Sequence, residues 1–516
     1  MLLWAFSEGR VATLVLLAAL PAVLERVEVL FSARDLERPS RTVVGLGVAV
    51  ALPTLVHPGA LLAVGPIVAA GLLAGWRRIR GLVLSLLGLA AAAALSWPLA
   101  LEVARDPAAS LASYVGTVDP WRVLRLAPGG GPGSWVVGAF LPVSALVCFA
   151  VVGPEHRGSA WRAMLLALAA VGLGWASAAR WLPPALTNQP AYLSLAAVAE
   201  AALLGYGLAA LGARLGREAF GIRQVSAFAL GAVLGLGLAG QFLGVVLGGW
   251  AVDRNGLPPA WPLIEGASGG FRILWIGGPG PGGFPAPGGD PIGVVEAGPA
   301  SVRYGLTDRD GVSALDLGRA ATGPGYRFLE EVLEEVVAGS TRHAGTLLAP
   351  LGVRFVVAAE GDLPPAVRAR LEEQLDLVRI PAGGLVIYRN PRALPVASVV
   401  SGEAFARASA GSDLAPLAAL PRAAVAPLRP VEGGFRAETE GGTLYLAWQF
   451  DPGWRIRAVD AVRSGAAAFG WAIRAPVEAG PVEVDHRPSP RRAVELGLVG
   501  GLWLLALWVT RRPAER

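Results

Sequence analysis

Long apolar runs separated by short arginine-bearing loops fill the first half of the chain. A membrane-crossing helix needs about 20 mostly apolar residues. Runs of that kind lie at 81–101, 135–152, 163–179, 191–212 and 225–248, with a last one at 493–509. The apolar run 42–76 is too long for one crossing and is interrupted by His57-Pro58-Gly59. Proline and glycine break a helix, so this run predicts two short arms turning at that tripeptide. The stretch 11–24 is shorter and contains Pro21, which predicts an interfacial, re-entrant or tilted segment. Glu25-Arg26 close it without the small-residue cleavage site of a signal peptide. The pattern therefore predicts a polytopic α-helical membrane domain of about eight or nine segments over 1–250, and a terminal transmembrane helix with a cytoplasmic tail over 491–516.

Between these membrane parts the periodicity changes. Residues 251–300 are dense in glycine and proline around one strand-like run, Phe271-Arg-Ile-Leu-Trp-Ile276, and read as a linker with a strand. Over 326–338, Phe328, Leu329, Val332, Leu333, Val336 and Val337 recur at helical spacing, with Glu330, Glu331, Glu334 and Glu335 on the other face. Helices over 343–351 and 364–375, a β-branched run at 353–357 and a hairpin at 377–388 complete a small α/β domain over 301–400. Residues 401–430 are rich in alanine and proline and read as a second linker. Short alternating strands at 435–438, 443–450, 454–458, 468–474 and 481–486 predict a β-sandwich over 431–490.

Composition sharpens the membrane reading. The chain is 54% hydrophobic and 16% charged, against about 25% charge in soluble domains. Its net charge of +5 comes from arginine alone, since no lysine is present. The arginines stand singly or in pairs at the ends of apolar runs, so they define no nucleic-acid face. They do define sides, because cytoplasmic loops are enriched in Lys and Arg. Arg34, Arg38 and Arg41, then Arg77, Arg78 and Arg80, then Arg157 and Arg162, then Arg214, Arg217 and Arg223 all fall on one side by alternation. That side is expected to be cytoplasmic, which puts the loops 102–134 and 181–190 and the whole of 251–490 outside. The single cysteine, Cys148, leaves no internal disulfide.

Several chemistries drop out at this stage. Gly278-x-Gly280-x-x-Gly283 has the dinucleotide spacing, but Pro281, Pro285 and Pro287 forbid the helix whose N-terminus would face a pyrophosphate. Without lysine there is no Walker loop, and the four histidines are scattered, so neither a cofactor nor a metal site is expected. A transporter is disfavoured by the scarcity of charge inside the runs. The acidic residues facing the outer side are more informative. Glu102, Asp106 and Asp119 share the loop 102–134 with Trp121, Arg122 and Arg125. Transfer of a sugar from a polyprenyl-phosphate carrier needs a carboxylate base for the acceptor hydroxyl. It also needs arginine for the phosphate and aromatic surfaces for sugar and lipid. Ordinary interfacial loops carry the same residue types, so both readings stand. Glu200 falls in the middle of the run 191–212, where an ionisable group is a functional candidate by default. Pairing with an arginine in a polar seam is the other reading. Gln241 and His57 are weaker polar candidates in apolar surroundings.

The tail Leu444-Tyr-Leu-Ala-Trp-Gln-Phe-Asp-Pro-Gly-Trp454, followed by Ala468-Phe-Gly-Trp471 and Glu478-Ala-Gly-Pro-Val-Glu483, resembles the β-domain of large bacterial multi-span membrane proteins linked to glycosylation of cell-envelope polymers. The runs Phe271-Arg-Ile-Leu-Trp-Ile276 and Leu348-Ala-Pro-Leu-Gly-Val-Arg-Phe-Val-Val357 resemble the actinobacterial branch, whose longer members carry a cytosolic family 2 glycosyltransferase domain. The resemblance implies an envelope glycosyltransferase, or the membrane and external half of one, using a lipid-linked sugar outside the cytoplasmic membrane. On this reading Asp119, Glu102 and Asp106 are the candidate bases, and Trp121, Arg122, Arg125 and Glu200 bind substrate. Expected partners are membrane lipid, the lipid-linked sugar and a separate cytosolic glycosyltransferase, with no nucleic acid. Two departures point to a split or truncated enzyme: the early spans of the longer members are missing, and Asp308-Arg-Asp310, the nearest thing to a nucleotide-sugar metal motif, falls outside the cell. The alternative is a non-catalytic scaffold whose external domains bind envelope glycan or a partner transferase.

Overall fold

The computed structural model describes residues 11–32, 39–73, 79–97, 99–105, 120–124, 135–179, 181–215, 269–278, 293–297, 300–309, 323–361, 363–382, 385–418, 424–458, 461–487 and 490–511, with isolated positions between them. They fall into two compact units, one of residues 1–252 with 494–516 and one of residues 253–493.

The first unit is helical. In chain order come α1 (Val11–Ser32), α2 (Pro39–Val56), α3 (Leu61–Leu73), α4 (Ile79–Leu95), α5 (Leu99–Arg105), α6 (Pro120–Leu124), α7 (Trp135–Val151), α8 (Arg157–Ala178) and α9 (Gln189–Leu215). Leu20, Leu46, Leu193 and Leu195 are fully buried where these helices pack. Outside that core the surface is itself apolar, with Leu86, Leu87, Leu165 and Leu168 about half exposed or more. A water-facing helix would put polar groups there, so this surface suits a hydrocarbon solvent. The last helix of the chain, Pro490–Arg511, exposes Val494, Leu498 and Leu504 in the same way. It is tied into this unit by Trp503 Nε1 donating to Leu95 O at 2.9 Å and Arg41 Nε to Thr510 O at 3.1 Å.

The described residues contain four helices long and apolar enough to cross a membrane, Pro39–Val56, Arg157–Ala178, Gln189–Ala210 and Pro490–Arg511, or five if the bent pair α4 and α5 is one span. That is fewer than the eight or nine segments expected. The shortfall has physical causes. Helix α1 has 22 residues but carries Glu25, Arg26 and Glu28. Helix α3 has 13 residues and α7 has 17. Most of the run at 225–248 lies outside the described residues. The run 42–76 does bend where its sequence says: α2 ends at Val56, His57 leaves helical geometry at φ −152° and ψ 116°, and a 3-10 turn Pro58–Ala60 leads into α3.

The second unit begins with a six-stranded sheet ordered β2-β3-β1-β4-β6-β5. Its strands are β1 (Arg272–Gly277), β2 (Gly293–Ala297), β3 (Ala300–Asp308), β4 (Val353–Ala359), β5 (Val378–Ala382) and β6 (Leu385–Arg389). Only β1 and β4 pair in parallel; the other neighbours are antiparallel. Central β1 is buried along its whole length, which explains the apolar run Ile273–Ile276 that follows Arg272. The linker reading of 251–300 is corrected here, because β2 and the start of β3 lie within it. The alternation Val302, Tyr304, Leu306 buries one face of β3 in the main core. Helix α10 (Pro324–Ala338) opens with proline in its first turn and closes at Gly339, whose φ of 78° needs no Cβ. Ser340 N then reaches back to Glu335 O at 2.9 Å. Of its glutamates, Glu331 and Glu334 are solvated, but Glu330 is half-buried and accepts a 2.7 Å bond from Tyr304. Burial pushes the Glu330 carboxyl above its usual value, against the opposing pull of that hydrogen bond. The short helices α11 (Ala344–Leu348) and α12 (Pro365–Glu372) flank β4 in the chain.

Two five-stranded sheets complete the unit, ordered β13-β12-β16-β10-β9 and β14-β15-β11-β7-β8. The strands are β7 (Ala397–Val400), β8 (Val425–Pro427), β9 (Arg429–Val431), β10 (Gly434–Thr439), β11 (Gly442–Leu446), β12 (Trp454–Ala458), β13 (Ala461–Ser464), β14 (Ala466–Ala468), β15 (Ala472–Val477) and β16 (Gly480–His486). The stretch 401–430 is therefore not a plain linker. It carries β8 and the start of β9, and it buries Phe405 and Leu417 in the main core. The strand expected at 468–474 is broken by a tight turn in which Phe469 takes φ 51°. Strand β11 is buried on both faces. Leu444 and Leu446 face the sandwich interior, while Tyr445 and Ala447 join the core shared with the α/β layer. Trp471, fully buried, lies 6.2 Å from Phe328 of α10, and Phe405, Tyr445 and Phe469 pack edge to face with one another in the same core.

Candidate functional site

At one end of the helical unit three segments far apart in sequence converge. Asn188, just before α9, caps that helix through Oδ1, which accepts from Ala191 N at 3.0 Å. Its Nδ2 donates to Leu111 O at 2.8 Å and lies 3.3 Å from His57 Nε2. Helix capping fixes the amide and so fixes what it can hold. The turn at His57, Leu111 and the start of α9 are thereby held together. The packing leaves no spare room. A Cβ on Gly59 would collide with Asn188 Nδ2 and come within 2.7 Å of Leu111 O. Gly59→Ala is expected to cost about 1–3 kcal/mol through overpacking, read as a lower thermal unfolding midpoint of the purified protein. An unchanged midpoint would mean that the junction is not closely packed.

Of the predicted site residues, Glu102 lies half-buried on α5, which is bent 108° from α4. Trp121, on α6, is 70% exposed, while Val123, on the same helical turn, and Leu126, just after it, are buried. Those two apolar side chains anchor the segment and leave the indole projecting. Asp106, Asp119 and Arg125 lie outside the described residues, as do the side chain of Arg122 and Gln241. Asn188 was not singled out in the sequence. Only its position three residues before Ala191, as a helix cap, could have drawn attention to it.

Glu200 is 5% exposed on α9. Ala196, Ala199 and Leu203, its neighbours along the helix, are buried with it. Among the described residues its Oε2 has no hydrogen-bond partner and no arginine pairs with it. It stands 12 residues from Asn188, roughly 18 Å along the helix axis at 1.5 Å per residue. The carboxyl is thus deep between the ends of α9 rather than part of the cluster at its start.

The opposite end of the unit collects charge. Arg162 donates to Glu28 at 3.1 Å and Ser159 donates to the same carboxylate at 3.2 Å. Phe31, at the end of α1, fills the space beside Gly71 and Gly81.

A second polar and aromatic group lies on the sandwich. Half-buried Trp448 is 5.1 Å from Phe435 and 6.1 Å from Trp454, ring centre to ring centre. His486 lies 5.0 Å from Trp454, and its Nε2 is 3.3 Å from Asp451 Oδ2. Flat half-exposed rings beside hydrogen-bonding groups are the chemistry that grips sugar rings.

No protein family matches the chain, and no curated protein does. Among solved structures, the cryo-EM structure of the arabinofuranosyltransferase AftD from Mycobacteria aligns with 95% of this chain and 48% of its own, at 14% identity and a TM-score of 0.33. The chain spans about half the length of that structure, and a likeness this slight carries no argument.

Proposed function

We propose that the protein is an envelope glycosyltransferase, or the membrane and external half of one, that takes its sugar from a lipid-linked donor at the outer face of the cytoplasmic membrane. The observation that carries this reading is the junction of His57, Leu111 and Asn188. By arginine bias all three belong to outward-facing segments. The junction joins the loop holding Glu102, Asp106, Asp119, Arg122 and Arg125 to the ends of two long apolar helices. The chemistry follows from those residue types. A carboxylate takes the proton of the acceptor hydroxyl as it attacks the anomeric carbon, and guanidinium groups hold the departing lipid phosphate. The exposed Trp121 sits where lipid headgroup meets water. Glu200, buried without an arginine partner among the described residues, is proposed to line a polar path into the bundle. Glu200→Gln should then leave folded yield nearly unchanged and weaken carrier binding. A large loss of stability with unaltered binding would assign it to packing alone.

Transfer of radiolabelled sugar from a polyprenyl carrier by the purified protein in detergent tests the reading directly; no transfer with any carrier sinks it. The orientation has its own test. Ser340 is exposed at the end of α10 and Cys148 is buried, so Ser340→Cys should react with an impermeant thiol reagent in intact cells. Labelling only after lysis would reverse the orientation and remove the proposed site from the outer face.

The second reading, a scaffold that binds envelope glycan or a partner transferase, is favoured by the aromatic group of Trp448, Trp454 and Phe435. It predicts glycan binding without transfer, which the same purified protein can report.

A further inference from the structure

One face of the β-sandwich carries its charge in a row. In the sheet β13-β12-β16-β10-β9, Ile456, Val482 and Val484 turn into the sandwich interior. The residues that alternate with them face the other way. The register sets Val462 of β13, Arg457 of β12, Glu483 of β16, Arg436 of β10 and Arg429 of β9 side by side, one on each strand. Neighbouring strands lie about 4.8 Å apart, so the row crosses the sheet over roughly 19 Å. Arg455, two residues before Arg457, stands opposite Asp485 on the same face. Arg487 follows just past β16, with its Nε 3.2 Å from Asp485 Oδ2.

The carboxylates of this face are too few and sit too low to cancel its arginines. Glu483 is shared by Arg436 at 2.8 Å and Arg457 at 3.3 Å, and Asp485 by Arg457 at 3.1 Å and Arg487 at 3.2 Å. The Arg436 side chain is 63% exposed where Glu483 is 35%, and Arg487 is 58% exposed where Asp485 is 24%. Exposed pairs of this kind hold weakly, and here the guanidinium groups stand further into solvent than the acids beneath them. Arg429 and Arg455 are exposed, and among the described residues no carboxylate pairs with either. Like charges directly opposite on paired strands destabilise a sheet, yet Arg429 stands opposite Arg436 with Glu483 one strand further on. Even with Glu438 of β10 counted, three acids meet five arginines among the described residues of this face. A lone small anion would gain little from one guanidinium in open water. A chain of carboxylates would meet several in turn, each further contact being made within the bound chain. An anionic lipid surface is the other source of such charge, but faces that sit on lipid add aromatic or long apolar side chains that enter the hydrocarbon boundary. The exposed large apolar side chains on β9 and β13 are only Val431 and Val462.

We infer that this sheet face binds an acidic polysaccharide, with Arg429, Arg436, Arg455 and Arg457 on its carboxylates as charge-assisted hydrogen-bond donors. None of these residues belongs to the proposed transferase loop or to the aromatic group of Trp448, so this binding stands or falls apart from both. The test uses the full chain in phosphatidylcholine nanodiscs at low salt, titrated with fluorescent polygalacturonate, galacturonate monomer, neutral dextran and phosphatidylglycerol vesicles. Polygalacturonate should bind saturably with a Kd of ~0.1 mM or tighter, and most of that affinity should vanish at about 0.5 M salt, where exposed charges are screened. Dextran should not bind. The double variant Arg429→Glu, Arg455→Glu should weaken polygalacturonate about 10-fold or more. Both side chains are exposed, and Arg429→Glu turns a like-charged cross-strand pair into an opposite one, so the unfolding midpoint of the variant should stand at or above the parent's. Lost binding then cannot come from lost folding. Absence of saturable binding, undiminished affinity in the double variant, or equal binding of dextran overturns the site. Galacturonate monomer binding as tightly as the polymer overturns the polymer assignment, and phosphatidylglycerol vesicles held by the same arginines in place of polygalacturonate give the face to a lipid surface instead.

Discussion

Asp119→Asn is expected to lower sugar transfer by ~10²–10⁴ with little change in carrier affinity, the range for losing a general base. Asp119 directly precedes Pro120, the first residue of α6, and Trp121 and Arg122 follow. A carboxylate, an aromatic and a guanidinium thus occupy four consecutive places around one proline. The buried Val123 and Leu126 pack into the core of the helical unit. Asparagine keeps the shape and removes the basic oxygen, which separates proton abstraction from binding. Arg122→Ala should show the opposite pattern, weakening carrier binding by ~1.5–3 kcal/mol as expected for a charged hydrogen bond. Equal turnover in Asp119→Asn moves the base to Glu102 or Asp106. If no form transfers sugar while the β-sandwich binds glycan, the scaffold reading replaces the enzyme.

Where local chemistry dominates, the structure could be read from the chain. The break at His57-Pro58-Gly59 follows from proline and glycine alone. Helix α10 follows from the 3.6-residue recurrence of Phe328, Leu329, Val332 and Val336. Long-range pairing was hidden. Strand β7 joins β11 across more than 40 residues, with Thr443 opposite Val400, and nothing local in its four residues announces it. Strand β3 shows a period of two in Val302, Tyr304 and Leu306, but its place between β1 and β2 is set by pairing that the local pattern does not carry. The same limit applies to the sites. Asn188 meets His57 across 131 residues. Sequence supplied the residue types of the proposed transferase loop; it could not supply the junction that anchors that loop.

Arg272→Met is expected to destabilise the unit of residues 253–493 by about 3–5 kcal/mol, since it leaves two buried carbonyls without a donor at about 1–3 kcal/mol each. In sequence Arg272 interrupts an apolar strand and looks out of place. In the structure it is fully buried and joins three parts of the unit. Its Nη1 donates to Leu351 O at 2.7 Å, beyond the turn that ends α11, and its Nη2 donates to Ala447 O at 2.6 Å, just past β11. Its Nε lies 3.5 Å from Asp308 Oδ1 at the end of β3, and its Cζ is 5.7 Å from the Trp448 ring. Tyr445 makes a parallel link, donating to Pro350 O at 2.7 Å. Burial raises the Tyr445 hydroxyl well above its usual pKa, against the nearby Arg272 charge, so the phenol stays a donor. The α/β layer and the sandwich therefore meet through backbone carbonyls that only a forked cation and a phenol satisfy. Methionine preserves much of the volume but leaves the Leu351 and Ala447 carbonyls without this donor in an interior closed to water. Lysine keeps the charge but cannot reproduce the planar fork, so Arg272→Lys should fall between the two. For a unit of this size each kcal/mol lowers the unfolding midpoint by about 2–4 °C. Near-ultraviolet circular dichroism, which reports the tryptophans packed at the junction, should show Arg272→Met melting roughly 6–20 °C below the parent. An unchanged midpoint would mean that the aromatic core around Trp471 holds the two layers together without help from the arginine.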